Sequence, residues 1–571
     1  MRHEHSRRAV LGAGIAVASG SLLGACTSPG GDYGMDNSGL GGNAGPAAAP
    51  PSEYISPHGP EVQDREHRRG PGPDRHVQLT ATATTLDLGA RKVKSWAYED
   101  QVPGQALRVT AGETLALTLV NQLPQPTTLH WHGIRLRNDM DGVPGITQPA
   151  LKTGEAFDYR FTAVNPGTYW VHPHTGVQLD RGLYAPLIVE DPKEPLKYDK
   201  EWIVVLDDWL DGVGGRTPDK VLRQLNGGRP MAHGMDHGSA AGTASAAAST
   251  SAASAAGAMG APGAMGAVGV VGAVGATSAP PMARHGAKPS PSPTRSAASA
   301  APTGGTSRLL GGDAGHVTYP YYLINGRTPD SPQVFRAKRG DRIRIRIINA
   351  GGDTAFRVAL GGHKMTITHT DGYPVRHKTT DALLLGMGER YDVLVTAKSG
   401  VFPLAALAEG KKRSTLAVLH TSGKGAKKFK RPKELDGKLV WADQLKADES
   451  VRLESRPPDR TIRMRLTGSM RKFDWAINGK PYEPSQRYPV RAGERVRLTF
   501  INGTPMWHPV HVHGHTYGLP DGGARKDTTI LLPHRKVSVD FDADNPGLWM
   551  VHCHNVYHSE SGMMTILGYQ K

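Results

Sequence analysis

One pattern occurs three times in this chain: RVTAGETLALTLVNQL from Arg108, FRAKRGDRIRIRIINAG from Phe335 and YPVRAGERVRLTFINGT from Tyr488. Each copy has a Gly-acid turn, then an alternating strand, then Asn. Period-two alternation bounded by Gly, Asn and Pro marks half-buried strands. Repetition at this scale predicts homologous β-units rather than one large sheet. No long amphipathic helical pattern competes with that reading. The fold expected is all-β, three consecutive β-sandwich domains.

A second element is shared by the first and third units only. FDYRFTAVNPGTYWVHPH (Phe157 to His174) parallels VSVDFDADNPGLWMVHCH (Val537 to His554) in its Asn-Pro-Gly turn, a Trp beyond it and a closing pair of His. The middle unit has His363, His369 and His377 without that spacing, and they read as ordinary core or surface histidines. The expected domains are residues 74–195, 196–430 and 431–571. Two Gly/Ala/Pro/Ser-rich stretches interrupt this frame. Residues 27–73 cannot bury enough apolar surface to fold and read as a flexible tether. Residues 227–306 are too long and featureless for an ordinary loop and read as a disordered insertion.

The chain holds two cysteines among 571 residues. Cys26 closes HSRRAVLGAGIAVASGSLLGAC, in which Ser6-Arg7-Arg8 starts a twin-arginine export pattern and Leu23-Gly24-Ala25-Cys26 has the form of a lipobox. The expectation for residues 1–26 is an export signal. A lipid on Cys26 would then be the only membrane contact, at the outer face of the cytoplasmic membrane; plain secretion is the alternative. With Cys26 lipidated, Cys553 is the only thiol and no intrachain disulfide can form. The net charge of +16 comes from Lys and Arg scattered through strand-like segments, with no nucleic-acid motif beside them, so nucleic acid is not an expected partner.

Four His-x-His pairs carry the chemistry: His130/His132, His172/His174, His511/His513 and His552/His554. On a strand, residues i and i+2 share a face, so each pair can aim two imidazoles at one point. Eight imidazoles exceed one ion and point to a cluster of Cu, Zn, Fe or Ni. Cys553 lies between His552 and His554 and faces the other way, with His508 upstream and His558 and Met563 downstream. Two His, a thiolate and a long axial Met make a blue-copper electron-transfer site. A zinc finger would want more thiolates, and a catalytic thiol would want a base in a partly exposed setting; neither uses the Met. One short strand would thus join two metal sites back to back, with an electron path from Cys553 through His552 and His554.

Together HWHG, HPH, HPVHVHGH and HCHNVYHSESGM resemble the four copper motifs of the multicopper oxidases, over residues 75 to 571 apart from the insertion. VLDDWLDG (from Val205), YPYYLINGR (from Tyr319), THTDGYPV (from Thr368) and GARKDTTILLP (from Gly523) are similar to segments of the three-domain bacterial branch. The resemblance implies cupredoxin-like Greek-key domains and four copper ions. His130 and His511 correspond to type 2 ligands. His132, His172, His174, His513, His552 and His554 correspond to ligands of the type 3 pair. His508, Cys553 and His558 correspond to type 1 ligands, with Met563 axial. Asp141, in NDMDG, matches an acid that tunes the cluster and supplies protons; a local loop cap is the plainer reading. Several relatives carry Glu immediately after the last type 1 His. Here Ser559 stands there and Glu560 follows, a shift that on a strand changes the face and puts the proton path in question.

The implied function is oxidation of Cu(I), with Fe(II) or phenols as further donors, coupled to reduction of O₂ to water in copper tolerance. The alternatives are a laccase-like phenol oxidase, a copper nitrite reductase and a non-enzymatic cupredoxin-fold envelope protein. A monomer is expected. MAHGMDHG (from Met231) with Met259, Met265 and Met282 in the insertion offers thioethers suited to Cu(I), and reads equally as an inert linker with incidental Met.

Overall fold

In all three copies of the repeat, the residues that recur make the same local structure. The Gly of the turn, Gly112, Gly340 and Gly493, has φ of 96°, 93° and 87°. A Cβ at any of them would meet nothing within 4 Å, so backbone conformation and not space demands glycine. The acid that follows caps its own turn. Glu113, Asp341 and Glu494 accept from the backbone N–H of Thr110, Lys338 and Arg491, at 2.6, 2.8 and 2.9 Å. The closing Asn121, Asn349 and Asn502 accept from the N–H two residues on, at 2.9, 3.0 and 2.9 Å. Their amides donate to the backbone carbonyls of Leu151, Leu385 and Leu531. The pattern is therefore a strand, a sharp switch, a second strand and a locked exit.

The switch sends the two strands into different sheets, and this builds each sandwich. In the first unit, Leu107–Thr110 starts a four-stranded sheet that ends on His130–His132, while Thr114–Gln122 lies in a second, between Asp74–Asp87 and Ala156–Thr162. Six- and five-stranded sheets form each of the other two units. The same register recurs in all three: the unit's first strand runs parallel to the repeat strand, which pairs antiparallel on its other side. Asp74–Asp87, Lys200–Trp209 and Arg460–Thr467 are those first strands.

The computed structural model describes residues 53–227, 305–423 and 429–571. The export signal, the tether up to residue 52 and the Met-bearing insertion up to residue 304 lie outside the described residues. No helix among those described is long and apolar enough to cross a membrane.

Two boundaries differ from expectation. The end of the expected tether is ordered: α1 (Pro60–Arg69) follows an extended stretch in which Tyr54 and Ile55 are buried. Its holding forces are polar, which composition does not reveal. Arg69 donates to the Leu136 carbonyl and to Asn545 Oδ1 at 2.9 Å. Arg65 donates to the Asp544 carbonyl at 2.7 Å, and Ile55 N–H to the Tyr569 carbonyl at 2.7 Å. The segment thus straps the first unit to the last. In the same way, Leu435 and Leu439 pack on the middle unit, and Leu445 to Ala447 hydrogen-bond to both the middle and the third. Leu435 is buried with Ala359, Ala382 and Ala405, and Leu439 bridges Ala382. The third unit's sheets begin at Arg460.

Candidate metal centre

The eight paired histidines converge, all buried, where the first and third units meet. In the first unit the strand His130–His132 pairs with Gly167–His172. In the third, His508–Val512 pairs with Leu548–Cys553, placing His511 opposite His552. Three of the resulting sets each offer three imidazole nitrogens within 4.8 Å of one another: His132/His172/His554, His174/His513/His552 and His130/His132/His511. His554 Nε2 lies 3.2 Å from His132 Nδ1, and His513 Nε2 lies 3.1 Å from His552 Nε2.

The expectation that each pair aims at one point fails for three of the four. His172/His174, His511/His513 and His552/His554 each divide between sets. The strands explain this. They end at His172, Val512 and Cys553, so His174, His513 and His554 already lie in turns, where the two-residue period no longer holds. Only His130 and His132 lie wholly on one strand, and only they share a set.

The ring orientations are fixed from behind. His172 Nδ1 donates to the Pro173 carbonyl and His552 Nδ1 to the Cys553 carbonyl, each at 2.9 Å. His511 Nδ1 donates to the Asp527 carbonyl at 3.0 Å. Asp141 Oδ2 accepts from His513 Nδ1 at 2.8 Å, and the Asp141 carbonyl accepts from His130 Nδ1 at 2.9 Å. Asp141 is therefore more than a loop cap: it holds one imidazole from each of two units. His130 Nε2, His172 Nε2, His511 Nε2, His174 Nδ1 and His554 Nδ1 are left buried and without a hydrogen-bond partner. Burial first, and neighbouring imidazoles second, hold His132, His172, His174, His513, His552 and His554 well below the usual histidine range. Neutral rings with orphaned, converging nitrogens are what a bound transition metal requires, so these residues fit copper.

The second set lies across the same strand. His508, Cys553 and His558 group with the two Nδ1 atoms 3.1 Å apart and the thiol Sγ 3.6 and 3.7 Å from them. Thr504 Oγ1 lies 2.7 Å from His508 Nε2 and turns Nδ1 inward. α2 (Val556–Glu560), capped by Asn555, bends the chain so that His558 returns over Cys553. Met563 is buried, and its carbonyl accepts from Cys553 N–H at 3.0 Å. Burial pushes the Cys553 thiol up, so without a metal it stays protonated. A thiolate here needs a cation to stabilise it.

Glu560 lies on a helix rather than a strand. Successive helical residues are about 100° apart, so the one-residue shift does not reverse its direction. Ser559 and Glu560 both line a small cavity with His172, His174, His552 and His554. Burial first, then the Asp219 carboxylate, push Glu560 up to about 7.

Sequence reasoning missed three residues. Asp527 Oδ1 lies 3.1 Å from His132 Nε2, and Asp527 is clasped by Arg390 at 2.7 and 2.6 Å. His316, buried, faces the outer edge of His558 with ring centroids 4.8 Å apart. None of these stands in a His-x-His or Cys-His spacing, so no pattern marked them. His363, His369 and His377 belong to no metal-type set among the described residues.

Family profiles described as multicopper oxidase match residues 80–194, 300–424 and 455–570, one per sandwich. A multicopper oxidase of Mycobacterium tuberculosis is 41% identical, over 100% of this chain and 97% of its own length. A copper resistance protein A homolog of Pseudomonas syringae is 26% identical, over 86% of this chain and 93% of its own. Two solved structures share the fold with TM-scores of 0.64: the multicopper oxidase Fet3p, 17% identical, and a laccase from Botrytis aclada, 20% identical. Each alignment spans 87% of this chain, with 90% of Fet3p and 88% of the laccase covered. Fold and matches together define a copper-dependent oxidoreductase. The chain belongs to the multicopper oxidase family.

Proposed function

We propose that this protein oxidises Cu(I), one electron at a time, and couples four such oxidations to reduction of one O₂ to two waters. Fe(II) and small phenols are secondary donors, and the physiological setting is copper tolerance. The observation that carries the coupling is the hydrogen bond from His552 Nδ1 to the Cys553 carbonyl, 2.9 Å. It joins the thiol set to the imidazole cluster by one residue and one hydrogen bond. The ligand sets would hold four coppers: one at His508, Cys553 and His558 beside Met563, one at His130 and His511, one at His132, His172 and His554, and one at His174, His513 and His552. When bound, copper supplies the one-electron chemistry at the first site and the oxygen chemistry at the cluster.

The chain's own residues do the rest. Burial keeps bulk water from the imidazoles. Asp141 orients His130 and His513 and offers a carboxylate beside them. Glu560 holds a proton near neutral pH in the cavity beside His174 and His552, the place from which reduced oxygen would be protonated. Preference for Cu(I) over phenols is supported by relatives named copper resistance proteins. It is supported too by His316, a further imidazole whose ring packs against His558 with centroids 4.8 Å apart. The motifs of residues 1–26 add export by the twin-arginine route to this reading.

The test is oxygen consumption by the copper-loaded protein with Cu(I), Fe(II) and a dimethoxyphenol side by side. Cu(I) should be the fastest donor, with about four coppers per chain by metal analysis. A phenol turned over faster than Cu(I) would make the laccase reading correct, and about one copper per chain would end the coupled mechanism.

A further inference from the structure

The middle unit contributes no residue to any metal-type set among those described, yet it touches the cluster directly. Gly388 has φ 87°, and a Cβ there would stand 2.9 Å from His132 Cε1 and 3.0 Å from His554 Cδ2. Its backbone is thus pressed against two rings that belong to the first and third units. Two residues on, Arg390 is fully buried and reaches into all three units. Its Nε donates to the Thr168 carbonyl of the first unit at 3.2 Å, and Nη1 to the Gly388 carbonyl of its own at 2.9 Å. Nη1 and Nη2 donate in a fork to the two carboxylate oxygens of Asp527 in the third, at 2.7 and 2.6 Å.

Asp527 hands that orientation on to two ligands. Its Oδ1 accepts from His132 Nε2 at 3.1 Å, which leaves Nδ1 as the ring's metal-facing atom. His511 Nδ1 lies 3.4 Å from the same oxygen and donates to the Asp527 carbonyl at 3.0 Å, which leaves Nε2 inward. Thr528 Oγ1 donates to Oδ1 at 2.9 Å and completes the acceptor's surroundings. Further back, Asp371 Oδ2 accepts from the N–H groups of Asp527 and Thr528, at 3.2 Å each. The middle unit therefore fixes the aspartate both through its side chain and through its backbone.

We propose that Arg390 and Asp527 act as one positioning unit through which the ligand-free middle domain sets the ring orientation of His132 and His511. The proposal rests on the reading of the cluster as a copper site. Neither residue touches a reacting atom; both act through imidazoles. A planar guanidinium matters because its fork fixes the carboxylate plane, and the plane decides which nitrogen of His132 is hydrogen-bonded. Partners placed behind metal-binding histidines in this way set their tautomer and direction, and their loss weakens metal binding by about 10–100-fold.

The experiment uses the full chain, with Asp527→Asn, Arg390→Lys and the double change Asp527→Asn with Arg390→Gln. The double change removes both buried charges at once, so a failure to fold caused by one unpaired charge is controlled. Three readouts are taken: copper retention against a competing chelator, the type 2 signal by electron paramagnetic resonance, and the blue absorption that reports the Cys553 site and hence a folded third unit. Expected is a loss of about 10–100-fold in retention of cluster copper for Asp527→Asn and for the double change. An altered type 2 signal should accompany it, with the blue band unchanged and Arg390→Lys intermediate. Wild-type retention and signals in Asp527→Asn would overturn the proposal. So would a parallel loss of the blue band, since that shows only general structural support. A wild-type protein that holds blue copper but no cluster copper would overturn the cluster reading along with it.

Discussion

At Glu560 a single-residue displacement is harmless because the chain there is helical. The neighbouring acid position expected from relatives is taken by Ser559, and both side chains still line the cavity beside His174 and His552. Burial and Asp219 raise the Glu560 carboxyl from 4.5 to about 7. A raised carboxyl favours the neutral, folded form. Its contribution is complete below about pH 4.5 and is lost as pH climbs through about 7. A proton donor with this behaviour should make oxygen reduction slow as pH rises through that window. Glu560→Gln should lower the rate of oxygen reduction by about 10–100-fold, remove that pH limb, and keep the blue band. Oxygen uptake at saturating reductant across pH 5.5–8.5 measures it, and an unchanged profile would refute the role. At this scale the side chains that converge were legible in the sequence, because the His-x-His pairs and the neighbours of Cys553 stand out by their spacing. What was not legible is how the pairs divide, since that depends on where the strands at His172, Val512 and Cys553 stop.

Among the elements, the thrice-repeated turn is the most predictable from sequence and the strap the least. Gly340 has φ 93° with open space around its missing Cβ, so Gly340→Ala isolates the backbone term. It should cost about 1–2 kcal/mol, read by chemical denaturation of the metal-free protein. A neutral result would mean the turn relaxes. α1 escaped notice because it buries little, only Val62 within the helix, and its sequence PEVQDREHRR is nearly all polar. Its hold comes from arginine contacts made to residues more than 400 positions away, such as Arg69 to Asn545. Arg69→Ala removes a charged donor from three acceptors, Glu66, Leu136 and Asn545, and should destabilise the fold by about 1.5–3 kcal/mol. A denaturation midpoint equal to that of the parent would show that the strap contributes nothing. Likewise, the seam between the second and third units is blurred in the sequence, which shows that Leu435 is apolar but not which neighbour covers it.

For the whole molecule, the three-unit plan and its metal-bearing outer members follow from the repeat, while the middle unit's part does not. Gly388 and Arg390 sit in GMGERYD, a stretch with no His or Cys, and their meaning appears only when Asp527 is brought to them across 137 residues. Because the imidazole sets draw on both outer units, bound metal also joins those units. A ligand present at about 1,000 times its dissociation constant stabilises by about 4 kcal/mol. Removing copper with a chelator should therefore lower the thermal midpoint by several degrees, and re-addition should restore it. Unchanged calorimetric traces would show that the units hold together without it.

The distance along the chain between partners has one last consequence. His132 and His554 meet across 422 residues, and Cys553 arrives with the final sandwich. A chain still on the ribosome carries four of the eight imidazoles and no thiol junction until that last unit is made. A prematurely stopped chain, or one cut ahead of the last sandwich, is left with scattered histidines. Both ligand sets can therefore be completed only in a chain that includes the last sandwich.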